Sequence, residues 1–205
     1  MTPQRRKQRK MIFAALGVLA IAGLGWAVWA YIAAAPQRAK AQFDDSETLM
    51  YSGHYDTAVD GFTRALSIYP TADAYLERGI AHHYLSQDDL ALADYDRALQ
   101  LEPALARAFT ARGTIARARG DINQAMDEYT KSIQARPNVE AYYERGQLYE
   151  KLGQHQKAID DYDEAITYLR DAPHVYRARA FSKANLGDEE GALADRKLAQ
   201  SLEHR

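Results

Sequence analysis

The sequence predicts an all-α fold built from about five helix-turn-helix repeats. An alanine recurs every 33 or 34 residues along most of the chain, at Ala58, Ala91, Ala125, Ala158 and Ala192. An aromatic residue follows four positions later in the first four of these units, and strand signals are absent. A fixed period of this length indicates that each unit is one pair of helices, and that each pair buries its apolar face against its neighbours.

Residues 142–165 show the pattern of one repeat most clearly. Arg145 and Gly146 share one face of a first helix with the tyrosines that precede and follow them at helical spacing. Gly153 ends this helix, where a residue that adopts positive φ is favoured. Ala158 and Tyr162 lie on one stripe of a second helix. The small residues let the two backbones approach, and we expect the tyrosine rings to fill the space beside them.

Other residues recur in register with this unit. The Arg-Gly pair occurs at residues 78–79, 112–113 and 145–146, and a proline closes three units at Pro70, Pro103 and Pro137. Together these offsets closely resemble the tetratricopeptide repeat, over residues 37–205. The resemblance implies a right-handed superhelical solenoid. Its repeats are expected at about 37–70, 71–103, 104–137, 138–172 and 173–205.

The two terminal repeats depart from the pattern. In the first repeat, Asp45 and Ser46 stand where the Arg-Gly pair is expected. In the fifth, Arg196 replaces the aromatic residue, which is typical of a terminal helix with one face toward solvent. Pro173 is predicted to open the fifth repeat.

The turns carry helix stop and start signals. Gly120-Asp121 and Gly187-Asp188 are each typical of a glycine that ends one helix and an N-cap aspartate that begins the next.

A membrane span is predicted before the repeats. Residues 11–35 contain no charged side chain, and a helix of 25 residues rises about 37 Å, enough to cross a ~30 Å hydrocarbon core. Trp26, Trp29 and Tyr31 gather at its far end, as in an aromatic belt. Residues 1–10 hold five basic residues and no acid. The positive-inside rule therefore predicts a single-pass signal-anchor with a cytoplasmic N-terminus and periplasmic repeats in a bacterial inner membrane.

A cleaved signal peptide is the alternative for the same segment. Ala33, Ala34 and Ala35 would provide a small-residue cleavage site. The apolar stretch is well beyond the roughly 7–15 residues of a secretory h-region, which favours a retained anchor.

Composition narrows the function classes. The chain has no cysteine, so it has no disulfide, thiolate metal site or cysteine nucleophile. Beyond residue 10, 21 Lys and Arg face all 28 Asp and Glu, which leaves a net charge of −7. An acidic repeat domain of this kind argues against a nucleic-acid partner, which needs a basic face.

No catalytic or metal-binding motif stands out. His82 and His83 are adjacent on one helix and therefore point to different faces, so they do not form a chelating i, i+4 pair. The acidic run at residues 160–164 lacks the glycine and spacing of a calcium loop, and we expect it to be a solvated helix face beside a core tyrosine. We therefore predict no enzyme activity, no cofactor and no metal.

The resemblance implies that the first helix of each repeat lines a concave groove that binds a partner peptide or helix. The expected groove residues are Glu77, Ile80, Tyr84, Arg107, Thr110, Arg117, Tyr143, Glu144, Gln147, Glu150, Arg177 and Phe181. Arg107 and Arg117 lie between acidic places at Glu77 and at Glu144 and Glu150, and such a mixed groove suits a partner peptide with basic and apolar side chains.

The sequence lacks the residues that one binding activity of the family requires. Domains that grip the acidic C-termini of heat-shock chaperones use a Lys and an Asn four residues apart on first helices. The corresponding places hold Leu76 with Ile80, and the equivalent pairs at 110 and 114 and at 143 and 147 also lack Lys and Asn. No such clamp is expected.

These features predict a membrane-anchored scaffold or adaptor for protein partners, in envelope assembly, secretion or quality control. A structural subunit of a larger membrane complex and a protein-import receptor remain alternatives from other classes. Homo-oligomers are possible but not indicated by the sequence.

Overall fold

The structure is a computed structural model, which describes residues 25–204. Its described residues form helices α1 (Ala35–Tyr51), α2 (Tyr55–Ile68), α3 (Ala72–Tyr84), α4 (Asp88–Leu101), α5 (Ala106–Arg119), α6 (Ile122–Ala135), α7 (Val139–Lys151), α8 (His155–Tyr168), α9 (Pro173–Asn185) and α10 (Glu189–Glu203). The chain divides into two compact units, one up to Pro70 and one from Thr71 onward. The prediction of an all-α fold with about five helix pairs is confirmed, and the handedness stays a prediction.

The predicted membrane span falls mostly outside the described residues. Residues 25–33 are helical, Ala34 is in a turn, and α1 begins at Ala35 with Pro36 in its first turn. This position suits proline, because the first turn of a helix does not use its missing N–H. Between residues 25 and 204, no helix combines the length and the apolar character needed to cross a bilayer.

The first unit pairs α1 with α2 through an unusual small-residue contact. Ser46 is fully buried, although the sequence pattern places it where other repeats have glycine. A Cβ built on Gly61 would lie 2.1 Å from the Ser46 hydroxyl oxygen, so Gly61 makes room for this serine. Phe43 and Phe62 pack with their ring centroids 5.4 Å apart. The helix pair therefore keeps close contact despite the degenerate sequence.

In the second unit, four helical hairpins stack in chain order. Each first helix packs against its own second helix, as α3 with α4, α5 with α6, α7 with α8 and α9 with α10. Each second helix also packs against the next first helix. The cores are continuous: the Tyr95 cluster includes Leu76 from α3 and Ile115 from the next repeat.

A buried tyrosine fits against a glycine in each of the three central repeats. Tyr95, Tyr129 and Tyr162 are at most 1% exposed. A Cβ added to Gly146 would lie 2.6 Å from Cε1 of Tyr162, and the other two pairs give distances of 2.5 and 2.6 Å. Real Cβ atoms do not approach so closely, so glycine is required for the ring to occupy this space. The predicted close approach of the two helices is confirmed.

The turn predictions are confirmed in part. Gly120, Gly153 and Gly187 have φ values of 84°, 71° and 86°, a region that favours glycine, and each lies within two residues of the end of its helix. The Asp188 side chain caps α10 by accepting a hydrogen bond from the Gly191 N–H. Asp121 precedes α6 in the same way, but its side chain makes no capping hydrogen bond. Both aspartates therefore occupy the predicted N-cap position, but only Asp188 caps its helix with a side-chain hydrogen bond.

A buried ion pair joins the two helices of every repeat in the second unit. Sixteen residues separate the partners each time: Arg78–Asp94, Arg112–Glu128, Arg145–Asp161 and Arg179–Asp195. Arg145 binds both carboxylate oxygens of Asp161 at 2.9 and 2.7 Å. The expectation that residues 160–164 form a solvated face is thus wrong for Asp161, which is only 5% exposed.

The same arginines also link successive repeats. Arg112 contacts Asp96 at 3.2 Å, Arg145 donates to Thr130 at 3.1 Å, and Arg179 contacts Asp163 at 2.6 Å, each on the second helix of the preceding repeat. One guanidinium has five N–H donors in a rigid plane and can therefore serve two helices at once. These arginines fix the stacking of neighbouring hairpins as well as the pairing within each.

We predict that Gly146→Ala lowers the free energy of unfolding by about 1–3 kcal/mol, because the new methyl group overlaps the Tyr162 ring. Urea unfolding of the full chain measures the change. The matched control repeats Gly146→Ala in a Tyr162→Leu background, where the substitution should cost much less. Equal costs in both backgrounds would show that the ring does not impose the glycine.

We also predict that Asp161→Ala destabilises the chain by roughly 3 kcal/mol, since it leaves the partly buried Arg145 guanidinium without its carboxylate. Asp160, its exposed neighbour, is the control, and Asp160→Ala should change stability by less than about 0.5 kcal/mol. Thermal unfolding of both variants distinguishes the two positions. Similar losses in the two variants would contradict the assignment of Asp161 to a buried pair.

Candidate functional site

An open cleft of about 730 Å³ lies beside the first helices of the second, third and fourth repeats. We call it the central cleft and define it by residues of α3, α5 and α7, the loop at residues 136–138, and the end of α8. Its apolar walls are Ile80, Tyr84, Ala111, Val139 and Tyr168. Tyr84 and Tyr168 are 60% and 51% exposed, so both rings are open to a ligand.

Polar groups line the rest of the central cleft. Arg107, Thr110, Arg136 and Glu140 contribute charged or hydrogen-bonding side chains. The Thr110 hydroxyl is already engaged, since its oxygen lies 2.8 Å from the Ser132 oxygen and 3.3 Å from the Ala106 carbonyl oxygen. The remaining polar groups can therefore orient a ligand whose apolar part contacts the walls.

Four of the expected groove residues meet in the central cleft, namely Ile80, Tyr84, Arg107 and Thr110. Glu77 lies beneath Arg107, with Oε1 at 2.8 Å from its Nη2. Leu76, the neighbouring place in the groove pattern, is fully buried against Tyr95, so the expectation that it faces the groove is wrong. The identity of the other groove residues as ligand contacts stays a prediction.

A second group of the expected residues lies at the junction of the third and fourth repeats. Nε of Arg117 is 3.1 Å from Oε2 of Glu144, which links α5 to α7. Burial raises the pKa of Glu144, and the opposing effects of Arg117 and Tyr129 do not offset it. One turn away, Gln147 donates to the Tyr143 hydroxyl at 2.9 Å.

The remaining expected residues lie in the fourth and fifth repeats. Glu150 accepts hydrogen bonds from the hydroxyls of Tyr162 and Ser182 at 3.2 and 3.3 Å. Arg177 forms an ion pair with Glu203. Phe181 is half exposed and lies edge-on to the His155 ring, with centroids 6.2 Å apart.

Sequence reasoning missed Arg136, Val139 and Tyr168. Arg136 follows a second helix, and Tyr168 ends one, whereas the groove pattern covers only selected first-helix places. Tyr168 stacks on Tyr142 with centroids 6.1 Å apart and is thereby held at the edge of the central cleft. For Arg136, the available sequence signal was an arginine directly before Pro137. For Tyr168, it was an aromatic residue near the end of a predicted helix.

The described residues offer no evident place for a metal ion. Between residues 25 and 204, no group of three or more His, Asp or Glu side chains is arranged to hold one.

Three models of the tetratricopeptide repeat match consecutive parts of the chain, at residues 46–108, 106–139 and 139–171. The chain carries tetratricopeptide repeats. Tetratricopeptide repeat protein 13 of Homo sapiens is 32% identical over 131 residues, which cover 61% of this chain and 15% of the human protein. The chain thus spans less than a sixth of that relative's length, and the relative's full activity does not transfer with the repeats.

Solved structures agree on the fold. A crystal structure of MamA has a TM-score of 0.65 and 20% identity, covering 78% of this chain and 94% of MamA. A structure of Pseudomonas aeruginosa pilF has a TM-score of 0.75 and 17% identity, covering 81% and 77% of the two chains. These structures share the fold, and the matching tetratricopeptide repeats support a coarse role as a protein-protein interaction scaffold.

We predict that the effect of Glu144→Gln depends on pH. A carboxyl group whose folded pKa is raised contributes its full stability below the unfolded value of 4.5 and loses it as pH rises through the folded pKa. Glu144→Gln should therefore be more favourable at pH 7 than at pH 3.5, relative to the unchanged chain. Urea unfolding at both pH values measures this difference.

Glu140→Gln is the control for this prediction, since Glu140 is exposed one turn earlier on the same helix. It should change stability little at either pH. A Glu144→Gln effect that is the same at pH 7 and pH 3.5 would contradict the assigned direction of the pKa shift.

Proposed function

We propose that this chain is a membrane-anchored adaptor that binds segments of partner proteins in the central cleft. The observation that carries the proposal is the pair of half-exposed rings, Tyr84 and Tyr168, beside Ile80 and Val139. Aromatic and aliphatic walls with a few polar groups are typical of sites that bury a ligand's apolar part and orient it. The central cleft is open, so an extended peptide or a helix can enter it from the side.

The packing of the repeats supports binding at this surface. The apolar residues that hold the hairpins together, such as Tyr95 and Leu76, are buried and have no free face. By contrast, Tyr84 is 60% exposed. Exposed apolar side chains that gather in one concave place mark interaction sites more often than scattered ones do.

The proposed anchor is residues 11–35, with the N-terminus in the cytoplasm and the repeats in the periplasm. The uncharged stretch and the basic residues before it support this orientation. An anchor raises the effective concentration of membrane-bound partners, so a weak contact at the central cleft suffices. Envelope assembly, secretion and quality control are the processes in which we propose that such an adaptor acts.

Site-specific photocrosslinking in intact bacterial cells tests the binding surface. A photoreactive amino acid replaces Tyr84, and a control chain carries it at Glu164, which is exposed on α8 and does not line the central cleft. We expect discrete adducts from position 84 that are absent from position 164. Mass spectrometry then identifies the partner, and its compartment tests the orientation.

Two outcomes would contradict the proposal. Adducts from position 164 alone would indicate a subunit held through its second helices and not a groove-binding adaptor. A cytosolic partner captured at position 84 would overturn the periplasmic placement while leaving the binding surface intact.

A further inference from the structure

In two ion pairs of the first helices, the arginine side chain is more exposed to solvent than the glutamate. In the Arg107–Glu77 pair, the arginine side chain is 63% exposed and the glutamate only 12%. In the Arg117–Glu144 pair, the values are 40% and 22%. The guanidinium thus covers the carboxylate in both pairs, so a ligand meets N–H donors first.

The carboxylates of this surface are largely engaged inside the protein. Glu77 and Glu144 each contact an arginine, and Glu150 accepts hydrogen bonds from Tyr162 and Ser182. Carboxylate oxygens that are buried and already paired have little capacity left for a basic ligand. Two of these three carboxylates are thus covered by an arginine, and one oxygen of Glu150 is already used, which weakens the sequence-based expectation of a partner with basic side chains.

The arginines of the central cleft have donors to spare. Arg107 directs one nitrogen at Glu77, whereas a guanidinium carries five N–H donors. Arg136 is exposed at the edge of the cleft, on the loop before α7. Glu140 is also exposed there, so two arginines and one glutamate line the cleft. The wall consequently offers more open donors than acceptors.

Apolar surface lies directly beside these donors. Tyr84, Ile80 and Val139 line the same cleft as Arg107 and Arg136. A carboxylate bound by a guanidinium makes short, charge-assisted hydrogen bonds, and these gain strength where apolar walls exclude water. A ligand that presents an acid next to a large apolar side chain satisfies both features at once.

We propose that the central cleft selects an internal acidic side chain flanked by an aromatic or large aliphatic residue in an extended partner segment. This inference rests on the proposed function and names the chemistry of its partner. Arg136 and the open donors of Arg107 bind the carboxylate, while Tyr84 and its neighbours contact the apolar residue. The recognised group is a side chain, so a free C-terminus is not required.

Fluorescence anisotropy with three labelled peptide pools tests the proposal. The peptides are 12 residues long and amidated at the C-terminus, with Ala, Ser or Gly at all positions except a central pair. This pair is Glu-Phe in the first pool, Gln-Phe in the second and Lys-Phe in the third. The full chain is used in detergent. We expect the Glu-Phe pool to bind about fivefold tighter than the Gln-Phe pool and tighter still than the Lys-Phe pool, with a preference that weakens as salt is raised.

Matched variants locate the preference. Arg136→Ala removes an exposed side chain and should reduce the preference for Glu-Phe over Gln-Phe to less than about twofold. Arg97→Ala removes another exposed arginine, on α4 and outside the central cleft, and should leave it unchanged. The double variant Arg107→Gln with Glu77→Gln removes both charges of the Arg107–Glu77 pair, so it avoids leaving an unpaired carboxylate behind.

Each contrary result has its own meaning. Tighter binding of the Lys-Phe pool, or a Glu-Phe preference that survives both arginine variants, would overturn the inference. Binding without any charge preference that is lost in Tyr84→Ala would leave the proposed function standing and overturn only the acidic selectivity. No binding by any pool, together with no adducts at position 84, would overturn both.

Discussion

Three of the four repeats in the second unit depend on one contact, the fit of a tyrosine ring into the space that a missing Cβ provides. Gly146 and Tyr162 are sixteen residues apart, and so are the neighbours that precede them, Arg145 and Asp161. The packing that brings the ring to the glycine therefore also brings the guanidinium to the carboxylate. A single spacing thus sets both the glycine–tyrosine contact and the buried ion pair in these three repeats.

This arrangement determines which surfaces remain for binding. The core tyrosines and the arginines of the buried ion pairs occupy the space between helices. Arg112, Arg145 and Arg179 also contact the preceding hairpin. Side chains on the first helices that serve neither role are left at the surface. The central cleft forms where several of these, including Tyr84 and Ile80, come together with the end of α8. The proposed binding surface is therefore built from side chains that the core does not use.

The fold was largely predictable from the sequence because its marks are periodic. Gly79, Gly113 and Gly146 recur with their tyrosines, and a recurring steric requirement is visible in one chain. The buried acids were not recognised, although Asp94 and Asp161 stand at the same place in their repeats. The sequence alone does not distinguish an aspartate that is buried in an ion pair from one that is exposed to solvent. Which charges pair across repeats depends on side-chain reach. Arg107 and Glu77 illustrate this, because the exposed Arg107 covers the Glu77 carboxylate. A partner at this place would therefore meet a positive group and not a negative one.

The groove pattern carried over from the family was incomplete for a similar reason. It names places on first helices, whereas Arg136 and Tyr168 come from the ends of second helices, where the path of the loop decides what faces the cleft. Leu76 occupies a groove place in the pattern but is drawn into the core beside Tyr95. A repeat pattern fixes backbone positions, and local packing decides which side chains are free.

Methyl-resolved NMR of the full chain tests the central claim most directly. Ile80 and Val139 line the central cleft, whereas Val175 on α9 is fully buried in the same apolar cluster as Tyr162 and serves as an internal reference. Addition of the amidated Glu-Phe peptide pool should shift the Ile80 and Val139 methyl signals and leave the Val175 signals in place. Unchanged Ile80 and Val139 signals at peptide concentrations that shift methyl groups elsewhere would contradict the placement of the binding surface.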